Sequence, residues 1–477
     1  MATNDTTLGT NWAEQWAARN FGGCRLGDAR RTKRLVKTAE LVLQNPTASF
    51  ASLDGQWKNA KGAYRLFANE DVTFEAIVEP HCKNTRESIR GKHCLLLCDT
   101  SEVILAKLRE IVDGGDLGRG GGPGFLLHPA MAVDAESGEL YGLAGAVVRR
   151  RKRVKKGETA SQRKKRARES EIWGDVIDQV GAPDEHTRYT SVLDRGADSF
   201  EVFCHLRKNN HDWIVRVCQR GRKIMPPGED ESCSLKLYME GQPVIGHYEV
   251  PLRSRKSNKG KKTQSRTARM EVRTGKVRVA APVHKSAYEK ESGIAWIEMS
   301  VVWAREVDGP KGADALDWML YTSHEVASLE NAFTVIGWYK ERWLIEEYFK
   351  ALKTGCKMES RQLRGGQALE SLCGLLCVTA FEIFRLKRMA LTCPDRASRE
   401  VVPSRWVDLL CAVRGCPRSE VETVYGFYRM LARLGGFLGR KSDGEPGWQK
   451  LWTGWDRLAT MARGAEAFAA IQYKKSG

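Results

Sequence analysis

Two strand-like segments in this chain are each followed directly by an aspartate, and they constrain the fold more than any other feature. HCLLLCD ends at Asp99, and YTSVLD ends at Asp194. A continuous apolar run without polar alternation is typical of a strand that is buried on both faces, as in a parallel sheet. The acid then stands where the strand leaves the core. The pattern predicts two buried strands, each with a carboxylate at its end.

The segments around these strands set the order of the remaining elements. Two apolar runs flanking DAESGEL predict a β-hairpin, SQRKKRARESEIWGDVIDQVG and SFEVFCHLRKN predict helices, and DWIVRVC and ALDWMLYTS predict strands. Residues 220–312 are polar and strand-like, which predicts an inserted, largely antiparallel β region with a basic loop. This order matches an α/β ribonuclease H-like fold, in which neighbouring parallel strands bring the two acids together.

The two ends of the chain are predicted to be helical. In LGDARRTKRLVKTAELVLQ, Asp28 is a candidate N-cap, and the basic residues lie opposite the apolar ones. The cluster of Arg30, Arg31 and Arg34 fits a helix that lies on DNA, or else a solvated basic face, and these residues alone leave both open. The C-terminal part, residues 366–477, ends in a Trp-rich segment whose helical spacing favours core or a partner face.

Charge and composition narrow the class of partner. The formal net charge is +18, which favours polyanionic partners, nucleic acid first. No run approaches the roughly 18 apolar residues that span a bilayer, and the N-terminus lacks the pattern of a secretory signal. The thirteen cysteines form no CxxC pair, so we expect reduced thiols rather than a zinc ribbon.

The segment WYKERWLIEEYFKALKTG predicts a helix with an unusual stripe. At about 100° per residue, Tyr339, Arg342, Glu346 and Lys353 fall within roughly 60° of one another. The spacing of Arg342 and Glu346 also fits an ordinary surface ion pair. As a functional stripe, Arg342 and Lys353 would grip phosphates, Tyr339 would donate a hydrogen bond to one, and Glu346 would hold metal.

Three carboxylates on rigid elements suit a site for Mg²⁺. Asp99, Asp194 and Glu346 would supply hard oxygen ligands, and two ions about 3.5–4 Å apart can serve an in-line phosphoryl displacement. Taken singly, an aspartate at a strand end is more often a cap or turn residue. Asp198 is interpreted as the N-cap of the following helix, and Glu347 as structural. The prediction for these three acids rests on their combined positions in the fold rather than on any one of them.

The stripe and several further motifs resemble one family. Tyr-x2-Arg-x3-Glu-x6-Lys is similar to the signature of the insertion-sequence-four family of bacterial DDE transposases. LGDARRTKRLV, GAYRLF, CDTS, LDRGAD, WMLYTS and ARLGGFL also resemble that family, over nearly the whole chain and in one order. The resemblance implies an end-recognition domain at 1–80, a catalytic domain at 81–365 and a dimerisation domain at 366–477.

The resemblance implies cut-and-paste transposition. A homodimer pairs two transposon ends, water nicks one strand, and the freed 3′-hydroxyl forms a hairpin that is reopened before joining to target DNA. Each active site would use two Mg²⁺ ions, with Mn²⁺ as a substitute. The protein would act in the bacterial cytoplasm, at the nucleoid. No membrane partner is expected.

Further site residues are carried over by position. Trp318 resembles a tryptophan that stacks on a flipped base, although a core aromatic is also open. Arg195 and Arg216 match DNA-facing arginines, and Lys350 is expected at phosphate. Gly196 stands where an acid often follows the Asp-Arg pair in the family, and the basic run 149–168 fits either a solvated loop or a segment that tracks DNA.

Two other functions are weighed against transposition. A ribonuclease H-like nuclease without strand transfer would have no use for an end-binding module and a dimerising tail. A non-catalytic transposition inhibitor that occupies ends would have no need of three intact acids and the helical stripe. Both alternatives are therefore less favoured than the transposase.

Overall fold

The computed structural model describes most of the chain, with gaps in several loops and at both ends. The described residues are 12–53, 55–105, 115–116, 122–150, 157, 170–229, 231–252, 255–256, 262–263, 265–309, 315–440 and 443–475. Nearly all of the basic run at 149–168 and most of the glycine-rich loop before the hairpin lie outside these residues.

The described strands range from 2 to 15 residues in length. They are β1 (His93–Cys98), β2 (Ser101–Ile104), β3 (Gly115–Asp116), β4 (Pro123–Asp134), β5 (Leu140–Arg149), β6 (Arg188–Leu193), β7 (Asp212–Arg216), β8 (Lys223–Ile224), β9 (Cys233–Ser234), β10 (Val244–Leu252), β11 (Arg255–Lys256), β12 (Lys262–Thr263), β13 (Arg266–Ala280), β14 (Trp296–Val307) and β15 (Asp317–Thr322).

The helices are concentrated at the two ends of the chain. They are α1 (Trp12–Phe21), α2 (Ala29–Gln44), α3 (Trp57–Phe67), α4 (Phe74–Ser88), α5 (Glu171–Val180), α6 (Phe200–Lys208), α7 (Leu235–Gly241), α8 (Ala287–Ser292), α9 (Leu329–Glu341), α10 (Trp343–Lys350), α11 (Gly366–Thr392), α12 (Ser404–Arg414), α13 (Val424–Leu434) and α14 (Trp448–Lys475).

The chain divides into two compact units that do not follow its linear order. The terminal unit consists of Met1–Ser88, Thr100–Arg166 and Leu344–Gly477, and the central unit consists of Ile89–Asp99 and Ala167–Trp343. Each unit is therefore built from segments that are distant in sequence.

The central unit is organised around a mixed sheet in the order β10-β13-β14-β15-β7-β6-β1. β1, β6 and β7 are parallel neighbours, whereas the pairings from β7 to β10 are antiparallel. The leucines of β1, Leu95 to Leu97, are at most 1% exposed, as the continuous apolar run predicted. The predicted strands at 93–98, 188–193, 212–216 and 317–322 are confirmed.

The terminal unit combines an antiparallel hairpin with helices from both ends of the chain. β4 pairs with β5 around the DAESGEL turn, which confirms the predicted hairpin, and β2 pairs with the other edge of β4. Trp455 of α14 packs against Trp406 with ring centroids 4.9 Å apart, and its indole N–H donates to the Leu43 carbonyl at 3.0 Å. These contacts join α2, α12 and α14 into one core.

A buried arginine also ties separate segments of the terminal unit together. Arg361 is 7% exposed, and its guanidinium donates to the backbone carbonyls of Pro46, Ala48 and Cys356. Burial lowers the pKa of this guanidinium. The three carbonyls supply the partners that a buried cation requires, because an unsatisfied buried charge is costly. Arg361 therefore fixes the loop after α2 against the segment that follows α10.

One local interpretation from the sequence is wrong. Ser199, not Asp198, caps α6 with its side chain. The Asp198 carboxylate is fully buried, accepts from the backbone N–H groups of Cys218 at 2.7 Å and Gln219 at 3.0 Å, and pairs with Arg222 at 2.8 Å. The Asp198 carboxylate thus fixes the segment that follows β7, because Cys218, Gln219 and Arg222 of that segment all donate to it.

The thiol prediction is confirmed for all thirteen cysteines, which lie in described residues and are free. Cys94, Cys98, Cys373 and Cys377 are buried, as expected for small apolar core residues. Among the described helices, none is long and apolar enough to cross a bilayer.

Candidate active site

The register between β1 and β6 aligns the first two predicted acids. Leu97 is opposite Val192 in this parallel pair, so Asp99 and Asp194 occupy equivalent positions two residues farther along. Neighbouring strands lie about 4.8 Å apart, and both acids follow the last residues of their strands. The carboxyl edge of the sheet therefore carries two aspartates at adjacent positions.

Asp99 forms an ion pair with a residue of the predicted stripe. Arg342 Nη1 lies 2.7 Å from the Asp99 carboxylate, and the two side chains are only 12% and 20% exposed. A guanidinium so close to a carboxylate compensates its charge in a poorly solvated position. Arg342 therefore reaches the acid edge of the sheet, and in this structure it contacts the carboxylate directly.

The segment from Trp338 to Gly355 is helical as predicted, but it is not one continuous α-helix. α9 ends at Glu341, Arg342 follows with helical dihedrals as its C-cap, and α10 runs only to Lys350. Ala351–Gly355 then forms a π-helical turn. The side chain of Trp452 packs where a Cβ of Gly355 would lie, which shows how closely α14 approaches this turn. Lys353 lies on this π-helical turn, so its angle from the rest of the stripe no longer follows regular α-helical spacing.

The later stripe residues lie on this irregular segment, in the terminal unit. Glu346 is half-buried on α10, and Lys350 at its end is exposed. Lys353, on the π turn, donates to the Glu102 carbonyl at 2.5 Å and pairs with Glu359 at 3.3 Å. Lys353 is thus anchored to its own unit, whereas Arg342 belongs to the central unit.

Tyr339 is buried beside Trp318 in the central unit. It is 4% exposed, and the two rings make an edge contact with centroids 5.5 Å apart. Burial raises the pKa of Tyr339, although the guanidinium of Arg342 opposes this shift. The phenol therefore stays protonated and can act only as a hydrogen-bond donor or an acceptor, not as an anion. Its ring also supports one side of Trp318.

Three residues predicted separately from sequence line one cavity. Arg195, Arg216 and Trp318 face a cavity of about 420 Å³ in the central unit. Arg195 directly follows Asp194, and Arg216 ends β7, so the cavity opens beside the acid edge of the sheet. Trp318 is half-buried rather than part of the core. The core-aromatic interpretation of Trp318 is therefore the weaker one.

The sequence reasoning missed two charged residues of the same cavity. Asp317 and Arg220 both line it and are joined by an ion pair of 2.5 Å. Trp303 donates its indole N–H to the other Asp317 oxygen at 2.8 Å. The only sequence signal for Asp317 is that it directly precedes Trp318. No local sequence pattern indicates a role for Arg220.

The conspicuous Gly196 has a steric explanation. A Cβ at this position would lie 3.0 Å from the Trp173 ring, which is tighter than an ordinary carbon contact. The packing of α5 against this turn therefore occupies the space that a side chain would need. An acid at this position would require Trp173 to move.

The oxygen donors suit a hard divalent cation, although the described residues contain no group of three or more His, Cys, Asp or Glu side chains arranged to hold one. Asp99 and Asp194 supply carboxylates of the type that Mg²⁺ prefers. Asp99 is paired with Arg342 instead.

The three N-terminal arginines all form contacts, and they differ in exposure. Asp28 caps α2, as predicted, and the 91% exposed side chain of Arg30 pairs with Asp28 at 2.8 Å. Arg31 pairs with Asp71 at 2.5 Å. Arg34 donates to Asn59 at 2.9 Å. Arg31 and Arg34 thus hold α2 to its neighbours, and Arg30 alone of the three projects fully into solvent.

Comparison with known protein families gives three matches in chain order. Residues 13–72 match the transposase DNA-binding model, and residues 127–381 match the transposase DDE domain model, which covers more than half of the chain. The chain belongs to the DDE transposase family. Residues 378–477 match the Tn5 transposase dimerisation domain. The DDE match includes Asp194 and Glu346, while Asp99 precedes it.

The matches confirm the resemblance to Tn5-like transposases of the insertion-sequence-four family. The chain is a DDE transposase that acts on DNA, and its partners are DNA and a second copy of itself. A DDE domain implies a ribonuclease H-like fold, consistent with the mixed sheet of the central unit. DDE transposases use divalent metal ions in general.

Proposed function

We propose that this transposase moves DNA by a cut-and-paste route through a hairpin intermediate. The alignment of Asp99 with Asp194 beside an Arg- and Trp-lined cavity carries the proposal. A nuclease that only hydrolyses one strand would need the acids but not the cavity. A hairpin reaction also bends a strand sharply, and the cavity offers a place for the base that is displaced.

In this proposal Asp99, Asp194 and Glu346 hold two Mg²⁺ ions. When bound, these ions would activate the attacking oxygen and stabilise the leaving one. Arg342 compensates the Asp99 charge in the DNA-free chain, and a DNA phosphate would offer its guanidinium a bidentate partner. Lys353 would add a point charge on the phosphate backbone.

The cavity residues would handle the displaced nucleotide. Trp318 offers an aromatic face, and Arg195 and Arg216 place positive charge at the cavity rim. Tyr339 holds the Trp318 ring from one side and remains a neutral hydrogen-bond donor. Stacking on such a ring tolerates any base, because every base has a π-face.

The remaining parts follow the family organisation. We assign end recognition, with Arg30, Arg31 and Arg34, to 1–80, catalysis to 81–365 and dimerisation to 366–477. We assign an inserted β region to 220–312, where β10, β13 and β14 form antiparallel pairs. Lys350 is assigned to phosphate. The site of action is the bacterial cytoplasm at the nucleoid, because the DNA substrate is there.

The test uses linear DNA that carries the element's inverted ends, with Mg²⁺ or Mn²⁺. Asp99→Ala, Asp194→Ala and Glu346→Ala should each abolish nicking while end binding persists in a gel-shift assay. Glu347→Ala is the matched control, because Glu347 lies on the same helix and pairs with Lys387 at 3.1 Å. Cleavage that survives in a variant would remove that acid from the site, and cleavage without joined products would indicate a nuclease.

A further inference from the structure

The cavity beside Trp318 contains a charged pair that the proposed stacking role does not use. Asp317 receives hydrogen bonds on both oxygens, from Arg220 at 2.5 Å and from the Trp303 indole at 2.8 Å. Arg216 also donates to the Asp317 backbone carbonyl at 3.3 Å. The Asp317 carboxylate is therefore fixed on β15 rather than mobile in solvent.

This fixed carboxylate orients Arg220. Burial alone would raise the pKa of Asp317, but the hydrogen bonds from Arg220 and Trp303 lower it overall, so the group stays ionised near neutral pH. A guanidinium carries five N–H donors in a planar fork, and the bond to Asp317 leaves capacity for a ligand. Arg220 is thus a preoriented donor on the cavity wall.

The three cavity arginines differ in what they can read. Arg195 is exposed and follows Asp194 directly, so it suits a phosphate near the reacting strand. Arg216 is bonded to the β15 backbone. Arg220 is oriented by a carboxylate that is itself held, and discrimination between bases requires donors held in a defined direction. Stacking on Trp318 would present the edge of a base to such a donor.

We propose that Arg220, oriented by Asp317, reads the edge of the nucleobase taken into this cavity and favours bases with a carbonyl oxygen. This inference rests on the proposed function, since it assumes that a nucleotide enters the cavity. Thymine, guanine and cytosine carry such an acceptor, and adenine does not. Trp318 would then supply affinity for any base, while Arg220 supplies a preference.

The preference can be measured with pre-nicked end DNA in which each nucleotide beside the cleavage site is thymine, adenine or an abasic residue. At the position that enters the cavity, wild-type protein should form the hairpin about tenfold faster with thymine than with adenine. Arg220→Gln should bring this ratio close to one, and Asp317→Asn should reduce it. The ratio corrects for any loss of folded protein, because both substrates meet the same preparation.

Arg195→Gln is the matched control. Loss of a phosphate contact should slow all substrates equally and leave the thymine-to-adenine ratio unchanged. A ratio that stays near tenfold in Arg220→Gln would overturn the inference.

A second measurement tests entry into the cavity without relying on catalysis. Cys218 is exposed and lines the same cavity. End DNA with a base tethered to a mixed disulfide should cross-link there, as the Cys218 thiolate attacks the disulfide and releases the small thiol. Cys218→Ser should abolish the cross-link, and its absence in wild-type protein would overturn the inference. Cleavage by wild-type protein alongside a lost preference would still leave the proposed function standing.

Discussion

Replacing Trp318 with alanine should slow hairpin formation without a comparable effect on first-strand nicking. The ring is half-buried, contacts Tyr339 edge-on at 5.5 Å and faces the cavity of about 420 Å³. In the proposed mechanism, first-strand nicking needs the acid edge of the sheet, whereas the hairpin step also needs a place for the displaced base. Only the second step should therefore depend on the stacking surface.

The size of the effect follows from the contact that is lost. Stacking of one base on an aromatic side chain contributes about 1–3 kcal/mol. Since about 1.4 kcal/mol corresponds to a factor of ten in rate, hairpin formation should slow by about 5-fold to 150-fold. Loss of the Tyr339 contact should lower the stability of the folded protein by about 0.5–1.5 kcal/mol, which would reduce the rates of nicking and hairpin formation together. The ratio of the two rates isolates the stacking effect.

The assay follows labelled linear ends over time on denaturing gels, which separate nicked from hairpin products. Trp318→Phe should retain most of the hairpin rate, because it keeps an aromatic face. Trp296→Ala is the matched control, since Trp296 is 44% exposed on β14 and does not line the cavity. Equal slowing of nicking and hairpin formation in Trp318→Ala would refute the reasoning and return Trp318 to a packing role.

Three further predictions concern the whole chain. End-DNA affinity should fall by about 10³-fold or more between 50 and 200 mM salt through counterion release, and a flat titration would remove the basic surface from the DNA contacts. His81 is buried with its pKa lowered to about 4, and its Nε2 accepts from the Leu143 N–H at 3.1 Å. Between about pH 6.5 and 4, His81 therefore carries a proton in the unfolded chain but not in the folded one. The free energy of unfolding should fall by about 1.4 kcal/mol for each pH unit of acidification in that window. Thermal unfolding at pH 7 and pH 5 measures this, and His81→Gln should reduce the slope. Arg361→Met should destabilise the chain by about 3 kcal/mol or more in urea unfolding, because buried carbonyls lose their donors, whereas the exposed Arg364→Met should not.

The fold elements that sequence predicted best are those whose signal is local. Leu95 to Leu97 form a buried strand because each residue is apolar, and the hairpin follows from its turn. The acids Asp99 and Asp194 could be placed at strand ends for the same reason. The π-helical turn after Lys350 was not predictable, because it packs against Trp452, and local periodicity does not encode such a tertiary contact.

The charged contacts of the candidate site were not predictable in this way. Arg342 meets Asp99 across 243 positions of the chain, and Arg220 meets Asp317 across 97. Periodicity carries no information about which cation reaches which carboxylate at such separations. Trp318, Arg195 and Arg216 were proposed one by one from motifs, and only the fold could bring them to one cavity.

The terminal unit has a consequence for how the chain is made. Its core joins Leu43 to Trp455, 412 positions apart. The helices of the DNA-binding segment therefore leave the ribosome long before the residues that cover them. At ordinary rates of synthesis, about 5–20 residues per second, their apolar faces stay open for tens of seconds. A chain truncated before Trp455 would keep those apolar faces exposed, so incomplete copies of this protein should be unstable.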